Sequence, residues 1–186
     1  PQAKRINPIT WHFRYPDTFQ MPAQPQIPDR RSIRLRSYDY RSAGYYFITV
    51  CCHQRQALFG HILSGVMHIN AAGSAVQRQW HGISGYYPHA CLDEFIVMPD
   101  HLHAIIAITP DLTSKNMGAM NRAPTEVGEI VRGIKARSTH AIHQLPEYGG
   151  TCVWQRNYYE HIIRDDRSLN AIRKYIRGNP ARWQQP

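Results

Sequence analysis

Two apolar segments separated by a two-residue turn constrain the fold of this chain most strongly. Residues 91–98 and 101–109 are rich in Ile, Val, Leu and Phe, and a Pro-Asp pair lies between them. Segments of this length and composition around such a turn predict two neighbouring antiparallel strands. In the second strand His101 and His103 are two residues apart, so their side chains point to the same face of the sheet. Two imidazoles on one face are a possible start for a divalent-metal site, although a bare pair of this kind is more often surface or hydrogen-bonded histidine.

The remaining predicted elements follow the order β-α-β-β-α-β-α. A first strand is predicted at 43–52 and a short fourth strand at 151–154, with helices at 70–85, 125–145 and 167–177. Asn70 and Ser168 are candidate N-caps of the first and last helices. Residues 57–67 are predicted to form a short hairpin or a loop, and residues 110–124 a loop. This order predicts the α+β class: a ferredoxin-like split βαβ fold, with an antiparallel sheet, helices on one face and a C-terminal helix.

The chain divides by composition into an extension and one domain. Residues 1–37 are rich in proline and carry a cluster of arginines, so we predict an N-terminal extension there and a single domain over residues 38–186. Arg34 and Arg36 in that cluster are candidate DNA contacts. A disordered tail without a partner is the alternative interpretation.

The charge balance favours a nucleic-acid partner. The 186 residues include 22 Lys and Arg against 13 Asp and Glu, giving a net charge of +9, together with 11 Tyr, four Trp and five Phe. Positive charges can follow phosphates while aromatic rings stack on unpaired bases. A basic protein without such a partner is the alternative. The four cysteines match no zinc or disulfide spacing and are predicted to be reduced thiols in or near the core; no segment has transmembrane length. We therefore expect a cytoplasmic protein with no membrane partner.

The predicted last helix carries a second pair of polar residues. Tyr175 and Asn179 are four residues apart and so share one helical face. A phenol attacks phosphorus well only if a metal ion stabilises the developing charge, and an amide oxygen is a suitable ligand for Mg²⁺ or Mn²⁺. Taken alone, the tyrosine would be a core or surface aromatic and the asparagine a helix cap. Their combination with His101 and His103 is what points to metal-assisted chemistry.

Three motifs occur in order along the chain, and together they resemble a known family. They are FIVMPDHLHAIIAI, WQRNYYEHIIRD and YIRGNP. This chain resembles the REP-associated tyrosine transposases, which belong to the single-tyrosine HUH (IS200-like) transposases of insertion sequences, over residues 45–180 or so. The resemblance implies that His101 and His103 bind a divalent ion, Mg²⁺ or Mn²⁺, with Asn179 as a third ligand. It also implies that Tyr175, on the C-terminal helix, is the nucleophile.

The resemblance also implies an activity and a partner. Such enzymes cleave single-stranded DNA beside a hairpin, here a REP-like palindrome, form a 5′-phosphotyrosine link and leave a 3′-OH that can rejoin the strands. We expect a monomer or homodimer that acts in the cytoplasm in association with the nucleoid. The main alternative is a catalytically inactive protein of the same fold that binds single-stranded or hairpin DNA. A replication initiator or relaxase is a third interpretation, against which the short chain argues.

Several residue roles stay open at this level. Tyr158 and Tyr159 are rival nucleophiles, interpreted here as packing or base-stacking residues. Asp100 either orients an imidazole or only forms the turn, and the turn is the more common role of an aspartate at such a position. Four basic residues are candidate DNA contacts, with solvated side chains as the alternative: Lys135, Arg137, Arg156 and Arg164.

Overall fold

The computed structural model describes residues 42–109 and 127–183. The predictions for the N-terminal extension, including Arg34 and Arg36, and for the loop at 110–124 lie outside these residues. No helix within the described part of the chain combines the length and the apolar character that crossing a membrane requires.

Four strands form one antiparallel sheet. Along the chain, β1 is Gly44–Cys51, the hairpin strands β2 and β3 are Gly60–Leu63 and Val66–Ile69, β4 is Ala90–Val97, β5 is His101–Ile108 and β6 is Tyr159–Ile163. The strand order in the main sheet is β4-β5-β1-β6, whereas β2 and β3 pair only with each other. Of the hairpin and the loop predicted for residues 57–67, the structure has the hairpin, which extends to Ile69. Strand β1 pairs with β5 on one side and β6 on the other, which is the order expected of a ferredoxin-like fold.

Within the described residues, five α-helices accompany the sheet: α1 is Ala71–His81, α2 is Ile83–Tyr86, α3 is Val127–His143, α4 is Asp166–Arg177 and α5 is Asn179–Arg182. The helix predicted at 70–85 divides at Gly82 into α1 and α2. Asn70 caps α1 as predicted, because its side chain accepts a hydrogen bond of 2.9 Å from the N–H of Gly73.

The two faces of the sheet are covered by different helices. On one face, alternating residues of β1 and β5 form the main core with α1 and α3; this cluster includes Tyr46, Ile48, Val50, Leu102, Ala104, Ile106, Val76 and Ile130. On the other face, the Tyr175 ring of α4 lies against Phe47 of β1, with ring centroids 6.2 Å apart. The α+β, ferredoxin-like prediction is thus confirmed, and the C-terminal helix lies across the face that α1 and α3 leave uncovered.

The position predicted for the fourth strand is wrong. The strand is β6 at Tyr159–Ile163, not residues 151–154. Residues 153–155 run beside the end of β1 instead, where the N–H of His53 donates to the carbonyl of Val153 and the N–H of Gln155 to that of Cys51, both at 2.9 Å. β6 was missed because it is a five-residue edge strand in which four side chains are only half-buried, so it lacks an apolar signature.

Two smaller predictions also need correction. Helix α4 is capped by Asp165, whose carboxylate accepts a 2.8 Å hydrogen bond from the N–H of Ser168, so Ser168 is not the cap. All four cysteines are free thiols, but only Cys51 and Cys52 are buried, whereas Cys91 and Cys152 are exposed.

Candidate active site

The two histidines lie at the start of β5 and converge on one point. Strand alternation sends Leu102 into the core with α1 and α3 and turns His101 and His103 to the opposite face. The Nε2 atoms of the two rings are 3.1 Å apart. Both residues are almost wholly buried, with 5% and 0% of their surfaces exposed.

Each ring is held through its other nitrogen. The Nδ1 of His101 lies 2.6 Å from Oδ1 of Asp100, and the Nδ1 of His103 lies 2.8 Å from the hydroxyl of Thr49, its partner across the β1–β5 pairing. Because an ionised carboxylate only accepts hydrogen bonds, Nδ1 of His101 carries the proton and Nε2 carries the lone pair. Thr49 can accept from His103 in the same way. Of the two interpretations of Asp100, the contact supports its orienting an imidazole.

Asp100 is itself held by a residue that sequence reasoning missed. The Nε of Arg55 lies 2.8 Å from Oδ2 of Asp100, and its Nη1 donates to Sγ of Cys51 at 3.3 Å. Arg55 belongs to a short turn after β1 and is 45 positions away from Asp100 in the chain. No motif marks it, so only the tertiary structure brings it to the site.

Both imidazoles are neutral in this environment. Burial lowers the pKa of His101, and the hydrogen bond and charge of Asp100 oppose that effect. Burial lowers the pKa of His103 further, to well below its ordinary value, and the neighbouring His101 acts in the same direction. The neutral ring is the form that can give a lone pair to a metal ion.

Tyr175 of α4 lies directly beside the pair. Its hydroxyl is 3.4 Å from Nε2 of His103, and its side chain is 8% exposed. Burial raises the pKa of Tyr175, while a hydrogen bond with Asn179 and the charge of Arg182 act to lower it. The phenol is therefore protonated at neutral pH, and its two polar neighbours favour the phenolate.

Asn179 reaches the site although the helix does not continue to it. Helix α4 ends at Arg177, and Asn179 is the first residue of α5, yet its buried side chain contacts the Tyr175 phenol. The spacing of Tyr175 and Asn179 thus brings the two side chains together across a helix break. The amide oxygen is a ligand type that suits Mg²⁺ or Mn²⁺.

The donor geometry fits a divalent ion. Two ligands about 2.1 Å from an octahedral ion, at right angles to each other, are about 3.0 Å apart, close to the 3.1 Å between the two Nε2 atoms. Among residues 42–109 and 127–183 there is no group of three or more His, Cys, Asp or Glu side chains arranged to hold a metal. The donor set that fits here is two imidazoles with an oxygen ligand such as the Asn179 amide.

Aromatic and basic side chains surround the pair. The ring of Phe47 stacks on His103 with centroids 5.3 Å apart, and the ring of Trp183 lies 5.5 Å from that of His101. The Arg182 guanidinium is 5.6 Å from the centroid of the Tyr175 ring. These three contacts could not be predicted from the sequence. Phe47 has the pattern of an ordinary core residue of a strand, and Arg182 and Trp183 lie beyond the end of the last predicted helix.

The rival tyrosines have other surroundings. Tyr158 donates a 2.8 Å hydrogen bond to Glu160. Tyr159 lies on β6 opposite Thr49, with its ring 6.4 Å from that of Phe47, and burial raises its pKa. The Tyr175 hydroxyl, by comparison, lies within 3.4 Å of a site imidazole nitrogen.

The predicted DNA-contacting residues fall into two groups. The Lys135 ammonium donates to the carbonyl of Gln155 at 2.5 Å and to that of Arg156 at 3.3 Å, and the Arg137 guanidinium lies 3.9 Å from the Tyr86 ring centroid. These contacts give both side chains a role within the fold, which the prediction did not include. The other two predicted residues, Arg156 and Arg164, are exposed.

In this chain a sheet of ferredoxin-like strand order carries two converging histidines beside a tyrosine-bearing helix. The chain belongs to the IS200-like transposase family, since the family profile described as "Transposase IS200 like" matches residues 41–179.

Two individual proteins and one solved structure are similar to this chain. An uncharacterized protein of Haemophilus influenzae is 44% identical over 168 residues, which cover 86% of this chain and 92% of the relative. A second protein of that organism, whose name assigns it provisionally to the REP-associated tyrosine transposases, is 24% identical over 144 residues, 77% of this chain and 74% of the relative. The solved structure of a REP-associated tyrosine transposase bound to a REP hairpin has the same fold, with a TM-score of 0.56, 22% identity and coverage of 81% of this chain and 73% of its own.

Proposed function

We propose that this protein cleaves and rejoins single-stranded DNA beside a hairpin, with Tyr175 as the nucleophile. The observation that carries the proposal is the position of the Tyr175 hydroxyl, 3.4 Å from one of two converging, neutral imidazoles. A nucleophile and its assisting group typically lie about 2.6–3.2 Å apart, and the contact is often looser in structures without substrate, as at this site. The family assignment supports the same class of reaction.

The proposed reaction exchanges one phosphodiester for another. The phenol oxygen of Tyr175 loses its proton and attacks the scissile phosphorus, forming the Oη–P bond as the P–O3′ bond breaks. The 3′ oxygen leaves, takes up a proton and becomes a 3′-OH, while the 5′ phosphate stays on the tyrosine. Attack by a 3′-OH on the phosphotyrosine reverses these steps and joins the strands. No redox partner or nucleotide cofactor is needed.

A divalent ion, Mg²⁺ or Mn²⁺, held by His101, His103 and the Asn179 amide oxygen, would supply Lewis-acid polarisation of the scissile phosphate. The protein's own residues prepare the site for it. Asp100 and Thr49 fix the ring orientations, and Phe47 covers one face of His103. The hydrogen bond and charge near the phenol favour the phenolate that attacks.

The proposed substrate follows from charge and from the relatives. A net charge of +9 suits a polyphosphate partner, and a protein of the same fold is bound to a REP hairpin. Exposed Arg156 and Arg164 are the proposed phosphate contacts within the described residues. Arg34, Arg36, Lys135 and Arg137 remain predictions, as do the monomeric or homodimeric state and action in the cytoplasm.

The test is a covalent trapping experiment with single-stranded hairpin DNA labelled at its 3′ end, incubated with Mn²⁺ and resolved under denaturing conditions. Wild-type protein should retain the label as a protein–DNA adduct. Tyr175→Phe should abolish the adduct while hairpin binding persists, and Tyr159→Phe, the matched control, should keep it. An adduct that survives Tyr175→Phe would move the nucleophile elsewhere. Hairpin binding without any wild-type adduct, across a hairpin library, would favour the inactive DNA-binding protein.

A further inference from the structure

The turn after β1 has an unusual backbone at the residue that reaches the site. Gln54 and Arg55 adopt φ angles of 51° and 58°, in the left-handed region that glycine enters freely and other residues enter at a cost. Two backbone hydrogen bonds anchor this turn: the N–H of Cys52 donates to the carbonyl of Asp100 at 2.8 Å, and the N–H of His53 to that of Val153 at 2.9 Å. A costly conformation at Arg55 suggests that its side chain serves a purpose.

The side chain of Arg55 is directed to the carboxylate behind the histidine pair. Its Nε lies 2.8 Å from Oδ2 of Asp100 and its Nη1 3.3 Å from Sγ of Cys51, so two different nitrogens of the guanidinium are engaged. The Arg55 side chain is 22% exposed and that of Asp100 only 2%. A lysine has a single ammonium and could not make both contacts from the same position.

The contacts lead from Arg55 through Asp100 to the ring of His101, one of the two proposed metal ligands. Asp100 uses one oxygen for Arg55 and the other for Nδ1 of His101, 2.6 Å away. A buried carboxylate is costly unless its charge is compensated. Oδ2 receives no hydrogen bond within the described residues, so the ion pair with Arg55 is what compensates this oxygen, while Oδ1 holds the ring of His101.

We propose that Arg55 is a positioning residue of this site, which holds Asp100 and through it His101 in the orientation that binds the divalent ion. The proposal rests on the proposed function, because it requires a metal at the histidine pair. It assigns Arg55 to metal binding, not to contact with DNA phosphates. Loss of an outer partner of a metal ligand typically weakens metal affinity 10- to 100-fold, and we expect an effect of that size.

The test measures Mn²⁺ binding directly by electron paramagnetic resonance of the full chain, without DNA. Arg55→Gly removes the side chain while glycine suits the φ of 58°, so the turn should fold without penalty. Arg55→Lys keeps the positive charge but cannot contact Asp100 and Cys51 through two separate nitrogens. Both should raise the Mn²⁺ dissociation constant about 10- to 100-fold. The control Arg78→Ala removes an exposed arginine from α1, on the opposite side of the sheet, and should leave the constant unchanged.

Parallel measurements separate the other possible roles. Hairpin DNA binding in the presence of chelator should be the same for wild-type and Arg55→Gly, and their melting temperatures should be similar. Unchanged Mn²⁺ affinity in Arg55→Gly would overturn the proposal, and weaker hairpin binding alongside it would make Arg55 a phosphate contact. A melting temperature that collapses in Arg55→Gly would also overturn it, by making Arg55 a residue of the fold. If the wild-type protein binds no Mn²⁺, the metal site of the proposed function fails and this proposal with it.

Discussion

Exchanging the charges of Asp93 and Arg173 should reveal how firmly the tyrosine helix is fixed to the sheet. Arg173 binds Asp93 through two hydrogen bonds, Nε to Oδ1 at 2.7 Å and Nη2 to Oδ2 at 2.5 Å. One turn later, Arg177 binds Oε2 of Glu94 at 2.6 Å. The two arginines flank Tyr175 on α4, so these pairs connect the candidate nucleophile's helix to β4.

An irregularity in β4 makes this double contact possible. Leu92 pairs with Ile106 and Phe95 with Ala104, so two residues of β4, Asp93 and Glu94, lie opposite a single residue of β5. In a regular strand, consecutive side chains point to opposite faces. The bulge changes the direction of one of the two side chains, so that the carboxylates of both Asp93 and Glu94 reach α4.

The expected magnitude follows from exposure and geometry. The side chains of Arg173 and Asp93 are 29% and 19% exposed, so the pair should contribute about 1 kcal/mol, the upper end for such pairs. Burial of Leu169, Ile172 and Ile176 contributes about 1.5–3 kcal/mol for each side chain. Apolar packing therefore keeps α4 docked when the ion pair is lost, and the pair mainly adjusts its position.

The assay combines thermal unfolding with single-turnover adduct formation at saturating hairpin DNA. Arg173→Asp and Asp93→Arg should each lower the melting temperature by about 2–4 °C and slow adduct formation up to about fivefold, the rate equivalent of about 1 kcal/mol. The double exchange should recover most of both losses. A double variant no better than the single ones would refute the ion-pair explanation. Complete loss of adduct in Arg173→Asp would refute the argument that apolar packing, more than the ion pair, keeps α4 in place.

Three further outcomes are expected. Because burial lowers the folded-state pKa of His101 and His103 below the value of about 6.5 in an unfolded chain, the unfolded state takes up protons first as pH falls. The melting temperature without metal should therefore be level above about pH 7 and decline from about pH 6.5 downward; a constant value down to pH 5 would contradict the buried neutral rings. Gly73→Ala should destabilise the protein by about 1–3 kcal/mol in urea unfolding, despite better helix propensity, because the added methyl group would meet the carbonyl oxygen of Phe59; a gain in stability would show that α1 can shift. Lys135→Met should lower the melting temperature and leave the dissociation constant for hairpin DNA unchanged, because the ammonium donates to backbone carbonyls; weaker hairpin binding at an unchanged melting temperature would instead make Lys135 a DNA contact.

Much of the fold could be predicted because its signals are local. The strands around the Pro-Asp turn, the Asn70 cap and the histidine spacing each depend on residues within a few positions of one another. The edge strand β6 could not be found in this way, because its pairing with β1 comes from tertiary position and its side chains are half-buried on both faces. The break at Gly82 was missed because helical spacing continues past it.

The sequence by itself determined that His101 and His103 share a face, that Tyr175 lies on a late helix with Asn179 a turn later, and which family the motifs resemble. Only the tertiary structure decided that this helix lies across the histidine-bearing face and that Arg55 stands behind Asp100. The physical reason is the distance along the chain over which each kind of interaction acts. Strand and helix periodicity orient side chains within one element, whereas the meeting of separate elements depends on the packing of the whole sheet and on contacts that no spacing in the chain encodes.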